Sequence, residues 1–236
     1  MSVNKQIVLG KVAKDPEIRS TQNGGKVATF SVSTSYGDGV TWHNVVLFDK
    51  LADYAEASLK KGHLVFLEGR TRQRKWQDRS GNDRYVSEII GSFVTSQEIA
   101  ENTGDSKNAM SVNKLALLGR LGRDPETRTT QKGGTVVTFS VATNYGEDVD
   151  WHNIVLFDKL AEVAEQYLAK GHLVYIEGRT QHRKYDDKDG NERHITEVIA
   201  SFLDLQPNQS GSDQDRSRGS SNREFERTED DAEIPY

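Results

Sequence analysis

Apolar and polar positions alternate with period two in five stretches of the first part of the chain, residues 5–9, 27–34, 42–48, 64–74 and 84–93, which are rich in β-branched and aromatic residues. Turn-forming clusters separate them: Asp15-Pro16, Asn23-Gly24-Gly25, Tyr36-Gly37-Asp38-Gly39 and Ser80-Gly81-Asn82-Asp83. Residues 49–62 break the period. Leu51, Ala52, Tyr54, Ala55 and Leu59 recur at helical spacing, Asp49 stands in capping position, Lys60 and Lys61 follow in the expected last turn, and Gly62 closes it. The pattern predicts three strands, a helix of about three turns, and two more strands.

The same pattern then returns. Met110-Ser111-Val112-Asn113-Lys114 copies the opening Met1-Ser2-Val3-Asn4-Lys5, and a constant offset of about 109 carries the copy without a gap to Phe93 and Phe202, with roughly 60% identity. Two repeats of this length are too few and too large for a solenoid, so each is expected to be a complete small domain. The predicted organisation is domain 1 over residues 1–94, a polar linker over 95–109, domain 2 over 110–205, and a tail over 206–236. The linker spans roughly 20 Å by random-coil scaling, enough to set two domains side by side. The tail has almost no apolar residue and cannot repay the entropy of folding, so it is expected to be disordered.

Five strands with a helix between the third and fourth is the order of the oligonucleotide-binding (OB) fold, a five-stranded Greek-key barrel. The predicted class is therefore all-β with one helix per domain, in two tandem barrels. A generic small barrel or an open α+β sheet meets the same order, and strand order alone does not separate them.

Composition narrows the chemistry. The chain of 236 residues has no cysteine, which excludes disulfides, thiolate nucleophiles and Cys-ligated zinc, and favours a reducing compartment. No apolar run exceeds about five residues and the N-terminus lacks the features of a signal peptide, so a cytoplasmic protein with no membrane span is expected. The net charge of −5 argues at first against a nucleic-acid partner. It is unevenly spread: residues 206–236 carry about 8 acids and about 4 bases, leaving a body close to neutral.

The arginines of that body are concentrated on one strand face of each repeat. Beyond Glu68, alternation puts Arg70, Arg72, Arg74 and Trp76 on one face, with Arg179, Gln181, Arg183 and Tyr185 in repeat two, while Lys75 and Lys184 add charge at the hairpin. On the third strand, Trp42, Asn44, Val46 and Phe48 share the face expected to meet solvent, as do Trp151, Asn153, Val155 and Phe157. A row of cations beside aromatic platforms suits a polyanion whose bases stack without regard to sequence. Each element has a plainer explanation: a core tryptophan, a phenylalanine plugging the barrel end, or arginines that discourage edge pairing. The combination of aromatics and arginines on neighbouring strands, present twice, favours binding. His43 and His152 fall in the apolar phase and read as buried or interface histidines; no metal site or cofactor is predicted.

Trp42-His43-Asn44-Val45-Val46-Leu47-Phe48-Asp49-Lys50-Leu51-Ala52, Lys61-Gly62-His63-Leu64-Val65-Phe66-Leu67-Glu68-Gly69-Arg70, and Arg74-Lys75-Trp76-Gln77-Asp78 followed by Gly81-Asn82-Asp83-Arg84-Tyr85 closely resemble bacterial single-stranded DNA-binding proteins (SSBs). The resemblance covers nearly all of both repeats. It implies an OB fold that binds single-stranded DNA without sequence preference, protects it, and serves replication, recombination and repair. By position it implies base stacking by Trp42, Phe48 and Trp76, with Tyr36 near a further aromatic, and by Trp151, Phe157, Tyr185 and Tyr145. Phosphate contacts would come from Arg70, Arg72, Arg74, Lys75, Arg179, Arg183 and Lys184. The hairpin after the second strand is shorter than is common in the family, and Tyr185 in place of tryptophan implies weaker stacking in repeat two.

The chain end carries the resemblance further. Asp230, Asp231, Glu233, Ile234, Pro235 and Tyr236 form an acidic cluster tipped by an apolar turn, which in SSBs is the docking peptide for replication and repair enzymes. The family's usual last residue is phenylalanine, so Tyr236 is a departure, and an acidic solubilising tail is the alternative. Since most members of the family carry one OB domain and assemble as tetramers, the resemblance implies, for two domains per chain, a homodimer presenting four OB domains, with two linked domains in a monomer as the alternative. An RNA-binding or primosome-type OB protein would fit a chain lacking the outward aromatics and acidic tip. A nuclease would need convergent acids, and no such cluster is repeated between the halves apart from Glu68 and Glu177, so no enzymatic activity is expected.

Overall fold

The computed structural model describes residues 2–77, 81, 83–98, 111–130, 133–186 and 192–206. The predicted tail, apart from Gln206, residues 99–109 of the predicted linker and Met110 of the predicted second domain lie outside them. Repeat one comprises β1 (Val3–Val12), β2 (Glu17–Ser20), β3 (Lys26–Tyr36), β4 (Gly39–Phe48), α1 (Asp49–Ser58), β5 (Leu64–Gln77) and β6 (Asp83–Gln97). Repeat two comprises β7 (Val112–Leu121), β8 (Glu126–Thr129), β9 (Thr135–Tyr145), β10 (Asp148–Phe157), α2 (Asp158–Tyr167), β11 (Leu173–Asp186) and β12 (Glu192–Leu205).

In repeat one the ladder runs β3-β4-β6-β5-β1 and closes by pairing β1 with β3, and β4 with β6 is the one parallel neighbour pair in that ring. This closure and crossover make each repeat an OB barrel, which an open sheet does not. Val8, Phe30, Val32, Val45, Leu47, Val65, Leu67 and Ile89 fill the first barrel, with Ala52 and Ala55 of α1 at its end. The second barrel has its own core around Leu117, Phe139, Val141, Leu156 and Ile176, so each repeat buries its apolar face independently.

Four local readings change. A short strand, β2, lies between the first two turn signals and pairs with β3 through Glu17–Ser20; with only Ile18 apolar it has no alternation to announce it. The helix stops at Ser58 with Leu59 as its cap, so Lys60 and Lys61 lie beyond it. Asp49 is not a side-chain cap: Phe48 occupies that position, and Asp49 and Asp158 adopt φ of 49° and 51°, left-handed values that aspartate tolerates better than most residues. Domain 1 extends past residue 94, because β6 stays paired with β5 as far as Gln97 opposite Leu64. At the end of domain 2 the Gln206 N–H donates to the Leu173 carbonyl at 3.0 Å.

The two barrels share one sheet. β1 and β7 pair antiparallel over seven residues, from Val3 opposite Leu118 to Leu9 opposite Val112, joining twelve strands into a continuous ladder. The register is symmetric about Gln6 and Leu115, which are equivalent positions of the two repeats, so a pseudo-twofold axis passes between them.

Candidate nucleic-acid interface

β4 and β10 carry the predicted aromatics as the alternation requires. Thr41, His43, Val45 and Leu47 are buried, and Trp42 and Phe48 point outward with 51% and 39% of their surface exposed. Trp151 and Phe157 match them at 45% and 43%. Val46 and Val155, on the same outward side, are nevertheless buried, beside Ile90 of β6 and Ile199 of β12 in the parallel pairings. Trp76, Tyr185, Tyr36 and Tyr145 are exposed as well. None of the eight rings belongs to a barrel core.

The arginines behave less uniformly. Glu88, almost fully buried on β6, holds two of them, with Arg72 Nη2 at 3.0 Å and Arg74 Nε at 2.9 Å. In domain 2 Glu197 takes Arg183 alone, at 2.8 Å, because Gln181 replaces the second arginine. A buried carboxylate under the row orients the guanidinium groups at a cost in net charge. Lys75 and Lys184 are exposed beside them. A groove of about 420 Å³ runs over this face of domain 2, lined by Val155, Phe157, Arg179, Gln181, Arg183 and Glu197 together with β8 and β9 residues.

Arg70 is placed differently from the other arginines of its row. Its side chain is only 15% exposed, Nη1 lies 2.7 Å from Asp150 Oδ2 in the other domain, and its guanidinium rests 4.0 Å over the Tyr145 ring. Arg70, expected to contact phosphate, is taken up at the domain boundary by an acid 80 positions away in the chain. Burial raises the Asp150 carboxyl above its usual pKa, and Arg70 beside it offsets part of that rise. Across the pseudo-twofold axis, Arg179 lies 4.2 Å over Tyr36 but, among the described residues, donates to the neutral Gln181 Oε1, at 3.0 Å.

His43 and His152 are buried at the same boundary, as the apolar phase implied. Each accepts or donates at Nε2 with a threonine of its own domain at 2.8 Å, Thr34 and Thr143 respectively, and reaches the other domain at 3.5 Å through Thr180 or Asn4. Burial, assisted by the neighbouring His182 at the first site, pushes His43 down to about 3 and His152 to about 4. His182 Nε2 lies 2.6 Å from the Trp42 carbonyl, an acceptor, so this nitrogen carries the proton, and the Thr196 hydroxyl donates to Nδ1 at 2.9 Å.

Two features escaped the sequence reading. Tyr85, exposed at 60%, lines an interdomain cleft of about 230 Å³ with Gln73 and Ser87 on one side and Asn153, Tyr185 and His194 on the other. Its position is hidden because the repeat carries His194 there instead. Asp150 stands where repeat one has Thr41, a difference that acquires meaning only when the domains meet. Glu68 and Glu177, the acids weighed for a nuclease, form ion pairs with Lys5 and Lys114 at 3.0 and 2.8 Å, on the outer side of the barrels. Among the described residues no cluster of three or more potential metal ligands occurs, and no helix is long and apolar enough to cross a membrane.

Comparison with known proteins agrees with this geometry. The chain is similar to single-stranded DNA-binding proteins of Neisseria meningitidis serogroups A and B, each 50% identical over 105 residues, covering 41% of this chain and 60% of the relative. Single-stranded DNA-binding protein 1 of Chlorobaculum tepidum is 43% identical over 107 residues, covering 41% of this chain and 66% of the relative. The chain thus spans less than two thirds of these relatives' length. Among solved structures, a deletion mutant of the Thermus aquaticus single-stranded DNA binding protein superposes with a TM-score of 0.72 at 24% identity, covering 90% of this chain and 98% of that one. The wild-type Thermus protein gives 0.69 at 25% identity, covering 89% and 97%. The pattern of the single-strand binding protein family matches residues 3–97 and 112–206, both barrels in full. With the closed five-stranded barrels, the outward rings and the arginine rows all repeated, the chain belongs to the single-strand binding protein family, with two of its domains in tandem.

Proposed function

We propose that the protein binds single-stranded DNA without sequence preference, shields it, and acts as a scaffold rather than an enzyme in the cytoplasm. The observation that carries this reading is the outward face of each barrel, where Trp42, Phe48 and Trp76, and again Trp151, Phe157 and Tyr185, stand exposed beside arginines held by Glu88 and Glu197. Each stacked base gains about 1 to 3 kcal/mol regardless of its identity, and the cations draw in phosphates. The remaining arginines and lysines of the row, Arg72, Arg74, Lys75, Arg179, Arg183 and Lys184, supply the phosphate contacts. Titration with oligo-dT and with duplex of equal length, followed by tryptophan fluorescence at two salt concentrations, tests it. Quenching by oligo-dT that weakens with salt, and far weaker binding of duplex, is expected. Equal affinity for both, or no quenching, overturns it.

The tail, residues 206–236, is proposed to recruit replication, recombination and repair enzymes through Asp230, Asp231, Glu233, Ile234, Pro235 and Tyr236, acids meeting a basic rim and the last ring entering a pocket. A chain lacking residues 230–236 that still captures those enzymes overturns this role. Its acids also compete with DNA for the arginine row, so deletion of residues 206–236 is expected to tighten oligo-dT binding at low salt.

The protein is further proposed to be a homodimer with four OB domains. Support comes from the outer face of β6-β5-β1-β7-β11-β12, where Phe93 and Phe202 are each 49% exposed, each edge-on to a second ring, Phe66 at 6.1 Å and Tyr175 at 6.2 Å. Exposed ring pairs on a sheet face, with the Lys5–Glu68 and Lys114–Glu177 ion pairs beside them, favour burial against a second copy.

A further inference from the structure

The pseudo-twofold axis through Gln6 and Leu115 creates two equivalent places where a strand can leave one barrel and enter the other. At each, an arginine from one domain lies flat on a tyrosine at the hairpin tip of its sister: Arg179 on Tyr36 at 4.2 Å, and Arg70 on Tyr145 at 4.0 Å. Geometry alone does not distinguish them. Charge does.

At the Arg70 end, Asp150 is inserted beside the stack with its side chain 3% exposed. One carboxylate oxygen takes Arg70 Nη1 at 2.7 Å and the other accepts the Gln73 N–H at 3.3 Å. The guanidinium is neutralised, and a phosphate arriving there meets a like charge. At the Arg179 end the equivalent position is Thr41, a neutral side chain. Among the described residues no carboxylate lies within ion-pair distance of Arg179, whose polar partner is the Gln181 amide at 3.0 Å. A guanidinium stacked on a ring keeps its edge donors for a phosphate. Arg179 also lines the groove of about 420 Å³ with Phe157 and Arg183, so the same residue borders the domain 2 groove and covers the domain 1 hairpin.

We propose that single-stranded DNA passes between the two domains at the Arg179–Tyr36 end of their boundary, and that Asp150 closes the Arg70–Tyr145 end to it. The tandem repeat thereby binds its strand along one path, although its backbone is nearly symmetric. This rests on the single-stranded DNA reading above and adds the route.

The test uses the full chain with two oligo-dT probes, one of about 8 nucleotides that fills one barrel and one of about 30 that engages both. Thr41→Asp places an acid opposite Arg179 as Asp150 stands opposite Arg70. It is expected to weaken the long probe about tenfold and flatten its salt dependence by about one phosphate contact, while the short probe changes less than about twofold. Asp150→Thr opens the other end and is expected to leave long-probe affinity equal or higher. Because Thr41 is nearly buried, the exposed pair Tyr36→Ala and Tyr145→Ala provides a second comparison, in which Tyr36→Ala costs the long probe more. Equal losses from the two tyrosines, or a Thr41→Asp protein that folds and binds the long probe like the parent, overturns the route. A parent protein that binds neither probe overturns the underlying function instead.

Discussion

Gln6 and Leu115 are the same position of the two repeats, and they face each other at the centre of the β1–β7 ladder, both completely buried. The amide of Gln6 donates to Asn113 Oδ1 at 3.1 Å and accepts from the Thr71 hydroxyl at 3.4 Å, so one side of the axis is polar and satisfied while the other is apolar. Gln6→Leu is expected to cost under about 1.5 kcal/mol, because Asn113 keeps its bonds from Thr180. Leu115→Gln buries an amide beside Asn4 and Thr180, the counterparts of Asn113 and Thr71, which already bond Thr71 and Asn113, and is expected to cost about 2 to 4 kcal/mol. Urea unfolding of the two variants measures the difference, and equal costs would show that the axis does not discriminate between the repeats.

Trp42 and Trp151 contribute little to either core, so Trp42→Ala combined with Trp151→Ala is expected to weaken oligo-dT binding by about 10-fold or more with a melting temperature nearly unchanged. A large fall in melting temperature would return both residues to a structural role.

Trp151 rests on Gly122, where a Cβ would collide with the six-membered part of the indole. The counterpart of Gly122 in repeat one is Ala13, so only the second tryptophan has a bare backbone beneath it. Gly122→Ala must shift the ring, and an approximately three- to tenfold loss of oligo-dT affinity is expected with folding retained. Unchanged affinity in fluorescence titration would mean that the ring's seat on Gly122 is irrelevant to binding.

His43 and His152 are held neutral in the folded chain, with pKa about 3 and about 4 against 6.5 unfolded. A depressed histidine binds more protons when unfolded, so its stabilising share is complete above about pH 6.5 and is lost as pH falls toward 4. At pH 5 the loss is about 2 kcal/mol for each histidine. Thermal melts between pH 7.5 and 5 are expected to show this decline, and the double variant His43→Gln, His152→Gln to flatten it. A wild-type melt independent of pH over that range contradicts the buried-neutral state.

The proposed dimer face is tested by Phe93→Lys with Phe202→Lys, which is expected to give a monomer by light scattering while short oligo-dT still binds, since both rings lie away from the arginine rows. A parent chain that is already monomeric at working concentrations overturns the dimer.

Much of the barrel was legible in the chain because its causes are local. Leu47 buried and Phe48 exposed follow from a period of two, and α1 from apolar residues at helical spacing. β2 was not legible, since four residues with a single apolar side chain present no period. The helix end was misplaced because lysines and a glycine make a stop signal at any of several neighbouring positions, and packing against β3 and β6, not the signal, sets where the backbone turns.

The repeat, the barrel order, the outward aromatics and the arginine row are thus written in residue types and their spacing, because each reports on contacts within a few positions. The joining of β1 to β7, the capture of Arg70 by Asp150 and the asymmetry of the two crossings arise between residues tens of positions apart. A strand edge can pair with many partners and an arginine with many acids. Which one it meets is settled by the packing of whole barrels, and that choice, not composition, turns two nearly identical rows of cations into one open and one closed crossing.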